Sequence, residues 1–149
     1  MITESGEIVI NKPAAEVFSF VTDFENDLLW CPEVASIDRE SGEKSSVGTA
    51  YSTVVGPKFM KQPGGYEITK STPPSVFEWT FWQAKATGTG SYTLESTDSA
   101  TSLRYDLTAS FPGIQRLMGP GVRLYSQYIR IPRQLRKLKQ YLESTTDPE

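Results

Sequence analysis

The chain has 149 residues, 38% hydrophobic and 11% aromatic, which is enough to bury one core without disulfides or a structural metal. It contains no histidine and one cysteine, Cys31. That excludes an internal disulfide, cysteine zinc clusters, histidine metal sites, and Ser-His-Asp or Cys-His catalysis. The formal net charge of −3 is unevenly placed: residues 1–113 carry 8 basic and 15 acidic side chains, residues 114–142 carry 7 basic and none acidic.

No apolar run is long enough for a membrane-spanning helix. The start, Met1-Ile2-Thr3-Glu4-Ser5-Gly6-Glu7, lacks the basic-then-apolar pattern of a signal peptide. The expectation is a single cytoplasmic domain over residues 1–149, with 144–149 as a disordered tail.

In chain order, Glu7-Ile8-Val9-Ile10 is a β-branched run that predicts a first strand. Asn11-Lys12-Pro13 starts a helix, with Pro13 in the first turn and Ala14, Val17, Phe18 and Val21 at helical spacing. Asp23 ends this helix or caps the next. Phe24 to Trp30 predicts a second short helical turn, closed by Pro32. Six further strands are expected over Glu33–Glu40, Gly48–Val55, Gly65–Ser71, Ser75–Gln83, Lys85–Ser96 and Thr101–Ser110. The turn signals between them are short, which implies an antiparallel meander.

After Phe111-Pro112-Gly113 breaks the sheet, Ile114 to Met118 predicts a short helical segment, which Gly119-Pro120-Gly121 kinks or interrupts. A long helix is expected from about Gly121 to Glu143. Leu124, Tyr128, Ile131, Leu135, Leu138 and Leu142 form one apolar stripe along it, and Arg123, Arg130, Arg133, Arg136 and Lys137 lie opposite. The stripe keeps its phase through Pro132, which should bend the helix. Such a helix must lie on an apolar surface, and the strands before it are the candidate.

The order strand, two short helices, six strands, long helix carries a resemblance. Together with Ile8-Val9-Ile10-Asn11-Lys12-Pro13-Ala14-Ala15-Glu16-Val17-Phe18, the later Asp23…Trp30-Cys31-Pro32-Glu33-Val34, and the ending Leu135-Arg136-Lys137-Leu138-Lys139-Gln140-Tyr141-Leu142-Glu143, it resembles the START/Bet v 1-like (SRPBCC) superfamily. Within that superfamily it looks like the polyketide cyclase/dehydrase-like branch. The resemblance implies an α+β helix-grip fold: a seven-stranded antiparallel curved sheet around a long C-terminal helix, with two short helices after strand 1. It also implies a cavity for an apolar or amphipathic ligand. Some cyclase-like dehydratases use a His-Asp pair, and a chain without histidine cannot carry that mechanism.

Strand alternation assigns faces. Phe77, Trp79 and Phe81 should face the helix, and Glu78, Thr80 and Trp82 the other way. Tyr92 and Leu94, with Gly88 and Gly90, should point inward, as should Leu103, Tyr105, Leu107, Tyr66, Ile68, Tyr51, Thr53 and Val55. Several tyrosines on an apolar face read either as plain core or as a pocket with polar handles. Gly88 and Gly90 read as room for a ligand or as a bulge. The expected ligand-contacting residues are Tyr51, Tyr66, Trp79, Phe81, Tyr92 and Tyr105 on the sheet, and Leu124 and Tyr128 on the helix.

Asp23 reads as a cap rather than a base, Trp30 as a staple between the small helices and the sheet, and Cys31 as a small buried hydrophobe. Glu67, Glu78 and Asp106 alternate to the solvent face, and no buried ionisable pair is apparent. No catalytic residue, cofactor or metal is expected.

Three functions follow in order of preference. The first is binding or transport of a small hydrophobic or aromatic molecule. The second is a cyclase- or dehydratase-like enzyme without a histidine mechanism. The third is a module that contacts an anionic membrane or a partner through the basic helix face. A nucleic-acid partner is not expected, because the protein is acidic and its basic face lacks aromatics. The sequence leaves the ligand and the oligomeric state open.

Overall fold

A computed structural model describes residues 2–31, 34–55, 61–110 and 130–144. Its elements are β1 (Ile2–Ile10), α1 (Ala14–Val21), a 3-10 turn (Phe24–Asn26), α2 (Asp27–Trp30), β2 (Val34–Ser41), β3 (Ala50–Val55), β4 (Gln62–Thr72), β5 (Val76–Gln83), β6 (Ala86–Thr97), β7 (Ala100–Ser110) and the C-terminal helix α3 (Ile131–Ser144). The strands form one seven-stranded sheet in the order β1-β7-β6-β5-β4-β3-β2, and every neighbouring pair is antiparallel. This is the expected helix-grip architecture.

The two edge strands, β1 and β2, are consecutive strands of the chain, and the residues between them cross from one edge to the other. The crossing forms helix because its apolar residues recur at helical spacing: Ala14, Val17, Phe18 and Val21 are all buried. Pro13 stands at the N-cap with extended backbone, one position before the helix proper. At the other end the Thr22 hydroxyl donates to the Phe18 carbonyl at 2.7 Å. Asp23 is the expected cap: its Oδ1 accepts from the Glu25 amide at 3.2 Å and opens the 3-10 turn.

Sheet curvature has an identifiable source. The β2–β3 register shifts between Val34 and Ser36 and again between Arg39 and Ser41, and the β4–β5 register shifts between Ile68 and Lys70. Such irregularities bend a strand and increase its twist. By contrast, β5–β6 and β6–β7 pair without a shift. Of the two readings of Gly88 and Gly90, the bulge is therefore not formed.

The main boundary correction is β1, which begins at Ile2 rather than Glu7 and pairs with β7 from Ile2↔Ala109 to Ile10↔Thr101. Its first half is locally polar, and the long β7 partner holds it in the sheet. β4 likewise begins at Gln62 rather than Gly65.

The helix stripe is buried as expected: Ile131, Leu135, Leu138 and Leu142 all lie in the core. Helix α3 packs on β1 across Gly6, where a Cβ would stand 2.6 Å from Ile131 Cγ2 and 2.9 Å from Leu135 Cδ1. Only a residue without a side chain lets the helix come this close. Lys139 fastens the same junction by donating to the Val9 carbonyl at 2.7 Å and to Glu143 at 2.6 Å, while Glu143 accepts from the Asn11 amide at 2.7 Å. The bond from Lys139, with that amide, holds the Glu143 carboxyl below the usual range. Leu124, Tyr128, the segment Ile114–Met118 and the Gly119-Pro120-Gly121 break lie outside the described residues. So does the tail beyond Ser144, and Ser144 itself ends the helix.

Candidate functional site

The concave face carries a continuous aromatic wall. Alternation puts Tyr51, Tyr66, Phe77, Trp79, Tyr92 and Tyr105 on one side of five strands; Phe77, Trp79, Tyr92 and Tyr105 form one chain of ring contacts, and Tyr51 and Tyr66 join it through Phe24. Trp79 lies 4.9 Å from Tyr92 and 6.3 Å from Tyr105, and Tyr92 lies 5.7 Å from Tyr105, measured between ring centroids. Phe24, from the 3-10 turn, bridges Tyr51 and Tyr66 to Phe77 and Trp79. Its ring is 4.6 Å from Tyr66, 5.3 Å from Trp79 and 5.4 Å from Tyr51. Contacts at these spacings add to the area each ring buries.

The expected sheet residues are thus brought together. Tyr51, Trp79 and Tyr92 are buried, and Tyr66, Phe81 and Tyr105 are partly buried against the same core. Trp82, on the other face, is 47% exposed. The space over the two glycines of β6 is not free for a ligand. A Cβ on Gly90 would stand 2.3 Å from Trp79 Cζ2, and one on Gly88 would stand 2.7 Å from the Phe81 ring. These glycines make room for the wall's own rings.

Two features of the interior are not foreseen by the sequence reading. The first is a part-buried ion pair. Glu4 faces inward on β1 with only 4% of its surface exposed, and its Oε2 accepts from Arg130 Nη2 at 3.0 Å. The long β1 puts Glu4, Gly6, Ile8 and Ile10 on one face, so the acid enters the core side. Arg130 correspondingly leaves the solvent-facing basic row assigned to it and turns toward the sheet. The expectation of no buried ionisable pair misses the acid of this pair: Glu4 is buried, while Arg130 keeps 24% of its side chain exposed.

The second is Asp27. Phe24, Asp27 and Trp30 recur every three residues, so one face of this short helical segment carries all three inward. Asp27 and Trp30 are 6% and 7% exposed, while Leu28 and Leu29 are 49% and 52% exposed. The usual pattern is inverted: the acid is inside and the leucines are outside. Among the described residues, Asp27 Oδ1, Trp30 Nε1 and Tyr51 Oη are buried without a hydrogen-bond partner.

Electrostatics follow from burial. Desolvation, reinforced by the charge of Asp23, raises the Asp27 carboxyl well above the ordinary carboxylate range. Desolvation first, and the charge of Asp27 second, raises the hydroxyls of Tyr66 and Tyr92. Burial likewise raises Tyr105, against the opposing pull of Arg130. Burial, helped by Asp23, pushes Tyr51 up to about 12. Near neutral pH the wall therefore presents protonated phenols, which donate and accept hydrogen bonds but do not abstract protons.

Between α2 and α3 lies an open groove of about 560 Å³, lined on one side by Leu28, Leu29, Trp30 and Cys31 and on the other by Lys137 and Tyr141. Cys31 is half-buried rather than fully buried. No cluster of three or more potential metal ligands occurs among the described residues.

A curved antiparallel sheet gripping a C-terminal helix, with an aromatic inner wall, defines the helix-grip class. Residues 1–143 match the family described as polyketide cyclase / dehydrase and lipid transport, and the chain belongs to that family. Solved structures share the fold. A START superfamily protein from Mycobacterium smegmatis superposes with a TM-score of 0.76 at 16% identity, over 97% of this chain and 99% of that one. A conserved protein from Geobacillus kaustophilus gives 0.75 at 18% identity, over 97% of each chain. A protein from Mesorhizobium loti gives 0.70 at 20% identity, over 97% of this chain and 99% of that one. No curated protein is significantly similar in sequence.

Proposed function

We propose that this protein binds and carries a small hydrophobic, aromatic ligand between the concave sheet face and the C-terminal helix. The observation that carries the reading is the wall of Tyr51, Tyr66, Trp79, Tyr92 and Tyr105, where protonated hydroxyls interrupt an otherwise apolar surface. Sites for small molecules have this composition: mostly apolar lining with a few placed polar groups. Carriage is preferred to catalysis because the chain has no histidine, and its tyrosines are poor bases. The membership of a family described partly by lipid transport supports the same reading.

Native mass spectrometry of freshly purified protein should reveal a co-purified small molecule. A hydrophobic aromatic probe should bind with micromolar strength, about −8 kcal/mol, and change tryptophan emission. Trp79→Ala should weaken that binding and Trp82→Ala should leave it nearly unchanged. Equal effects from both substitutions would defeat the reading.

One observation favours a second, compatible role. The exposed Leu28 and Leu29 stand across the groove from Lys137, beside the exposed Arg133 and Arg136. Apolar tips flanked by cations suit transient contact with an anionic membrane. Sedimentation with anionic liposomes, lost at high salt and lost in Leu28→Ser/Leu29→Ser, is the expected result. Binding that ignores both changes would remove this role.

A further inference from the structure

Asp27, Trp30 and Tyr51 are 6%, 7% and 3% exposed, and each keeps one polar atom without a partner among the described residues. A buried polar atom left unpaired is costly, and such atoms call for an explanation. Packing does not provide one, since Leu or Phe would fill these places without the penalty. Asp27 and Trp30 lie on one face of α2, one turn after Phe24. Tyr51 comes from β3 and meets the same Phe24 ring at 5.4 Å. Asp27 bears electrostatically on Tyr51, Tyr66 and Tyr92, and Trp30 and Tyr51 belong to the same core cluster.

We propose that Asp27, Trp30 and Tyr51 form an oxygen-anchoring subsite that takes a neutral carbonyl or phenol oxygen of the ligand. The proposal rests on the ligand-binding reading above and adds which end of the ligand is recognised and by what. The indole N–H can only donate, the phenol also offers a proton, and burial raises the Asp27 carboxyl toward its proton-bearing form, which can donate as well. Three donors match an oxygen acceptor. The charges acting on Tyr51 are mainly acidic, from Asp23 and Glu25, with Arg39 alone opposing. A ligand carboxylate is therefore disfavoured. An ammonium group would need Asp27 ionised in a buried place, which desolvation resists.

The test uses the full chain and four naphthalene probes of matched shape. These are 2-acetylnaphthalene, 2-isopropenylnaphthalene, 2-naphthoate and 1-(2-naphthyl)ethylamine, titrated by calorimetry at neutral pH. The ketone should bind about tenfold more tightly than the alkene, and both charged probes more weakly than the ketone. Tyr51→Phe removes only the unpartnered oxygen and should lower ketone affinity about three- to tenfold while leaving the alkene unchanged. Asp27→Leu and Trp30→Phe should do the same. Equal binding of ketone and alkene, loss of both in Tyr51→Phe, or tightest binding of the naphthoate or the amine would overturn the subsite and leave the ligand-binding reading standing. Binding of none of the four would overturn both.

Discussion

Trp79 on β5 and Gly90 on β6 are direct cross-strand partners, and the indole occupies the place of a side chain at position 90. A Cβ there would stand 2.3 Å from Cζ2 and 2.5 Å from Cε2. The ring is rigid and buried among Phe24, Phe77, Tyr92 and Tyr105, so it has nowhere to move. Gly90→Ala should cost about 1–3 kcal/mol by forcing the wall apart. Urea denaturation measures this, and a midpoint equal to wild type would show that Trp79 does not lie across β6.

The ion pair between Glu4 and Arg130 makes a different kind of prediction. Removing one partner leaves the other charge poorly solvated, so Glu4→Leu or Arg130→Met alone should destabilise by about 2–4 kcal/mol. The double variant replaces both with apolar groups and should recover much of that loss. If the two single losses simply add in the double variant, the groups do not interact.

The contrast between these two sites explains what the sequence discloses. Period-two alternation is local, so the inward Phe77 and Trp79 and the outward Trp82 are legible from β5 alone. The helix stripe Ile131, Leu135, Leu138 and Leu142 is local in the same sense. Glu4 is not legible, because Thr3 to Glu7 is polar and becomes strand only through its pairing with β7, roughly a hundred residues away in sequence. Gly90 misleads for the same reason: the ring that fills its space belongs to another strand. Asp27 is an intermediate case. Its three-residue spacing from Phe24 and Trp30 marks the inner face, but an acid flanked by two leucines argues locally for the opposite orientation.

The β5–β6 hairpin offers a stabilising change. Gln83 pairs with Ala86, so Ala84 and Lys85 form a two-residue turn, and Ala84 has φ of 53°. Alanine is penalised in this left-handed region, whereas glycine and asparagine tolerate it. Ala84→Gly should raise stability by about 0.5–1 kcal/mol, read as a higher urea midpoint with ligand binding unaltered. A lower midpoint would contradict the turn geometry.

Asp27 yields a pH dependence whose sign is fixed by its surroundings. Burial, and secondarily the charge of Asp23, raises its carboxyl well above the 3.8 of a solvated aspartate. Between that value and the folded one, the native state holds a proton that the unfolded chain has released. Stability from this group is then complete below the unfolded value and declines as pH rises through the folded value. The maximum slope for one group is about 1.4 kcal/mol per pH unit. Asp27→Asn cannot ionise, so it should match wild type more closely near pH 4 and become progressively more stable than wild type toward pH 7. Comparing the two proteins at each pH cancels the other carboxylates. Asp23→Asn should reduce the wild-type slope only modestly, because it removes the lesser of the two causes. Urea melts at each whole pH from 4 to 7 decide the matter: a constant difference between wild type and Asp27→Asn would mean that Asp27 is solvated, and would remove its carboxyl from the interior.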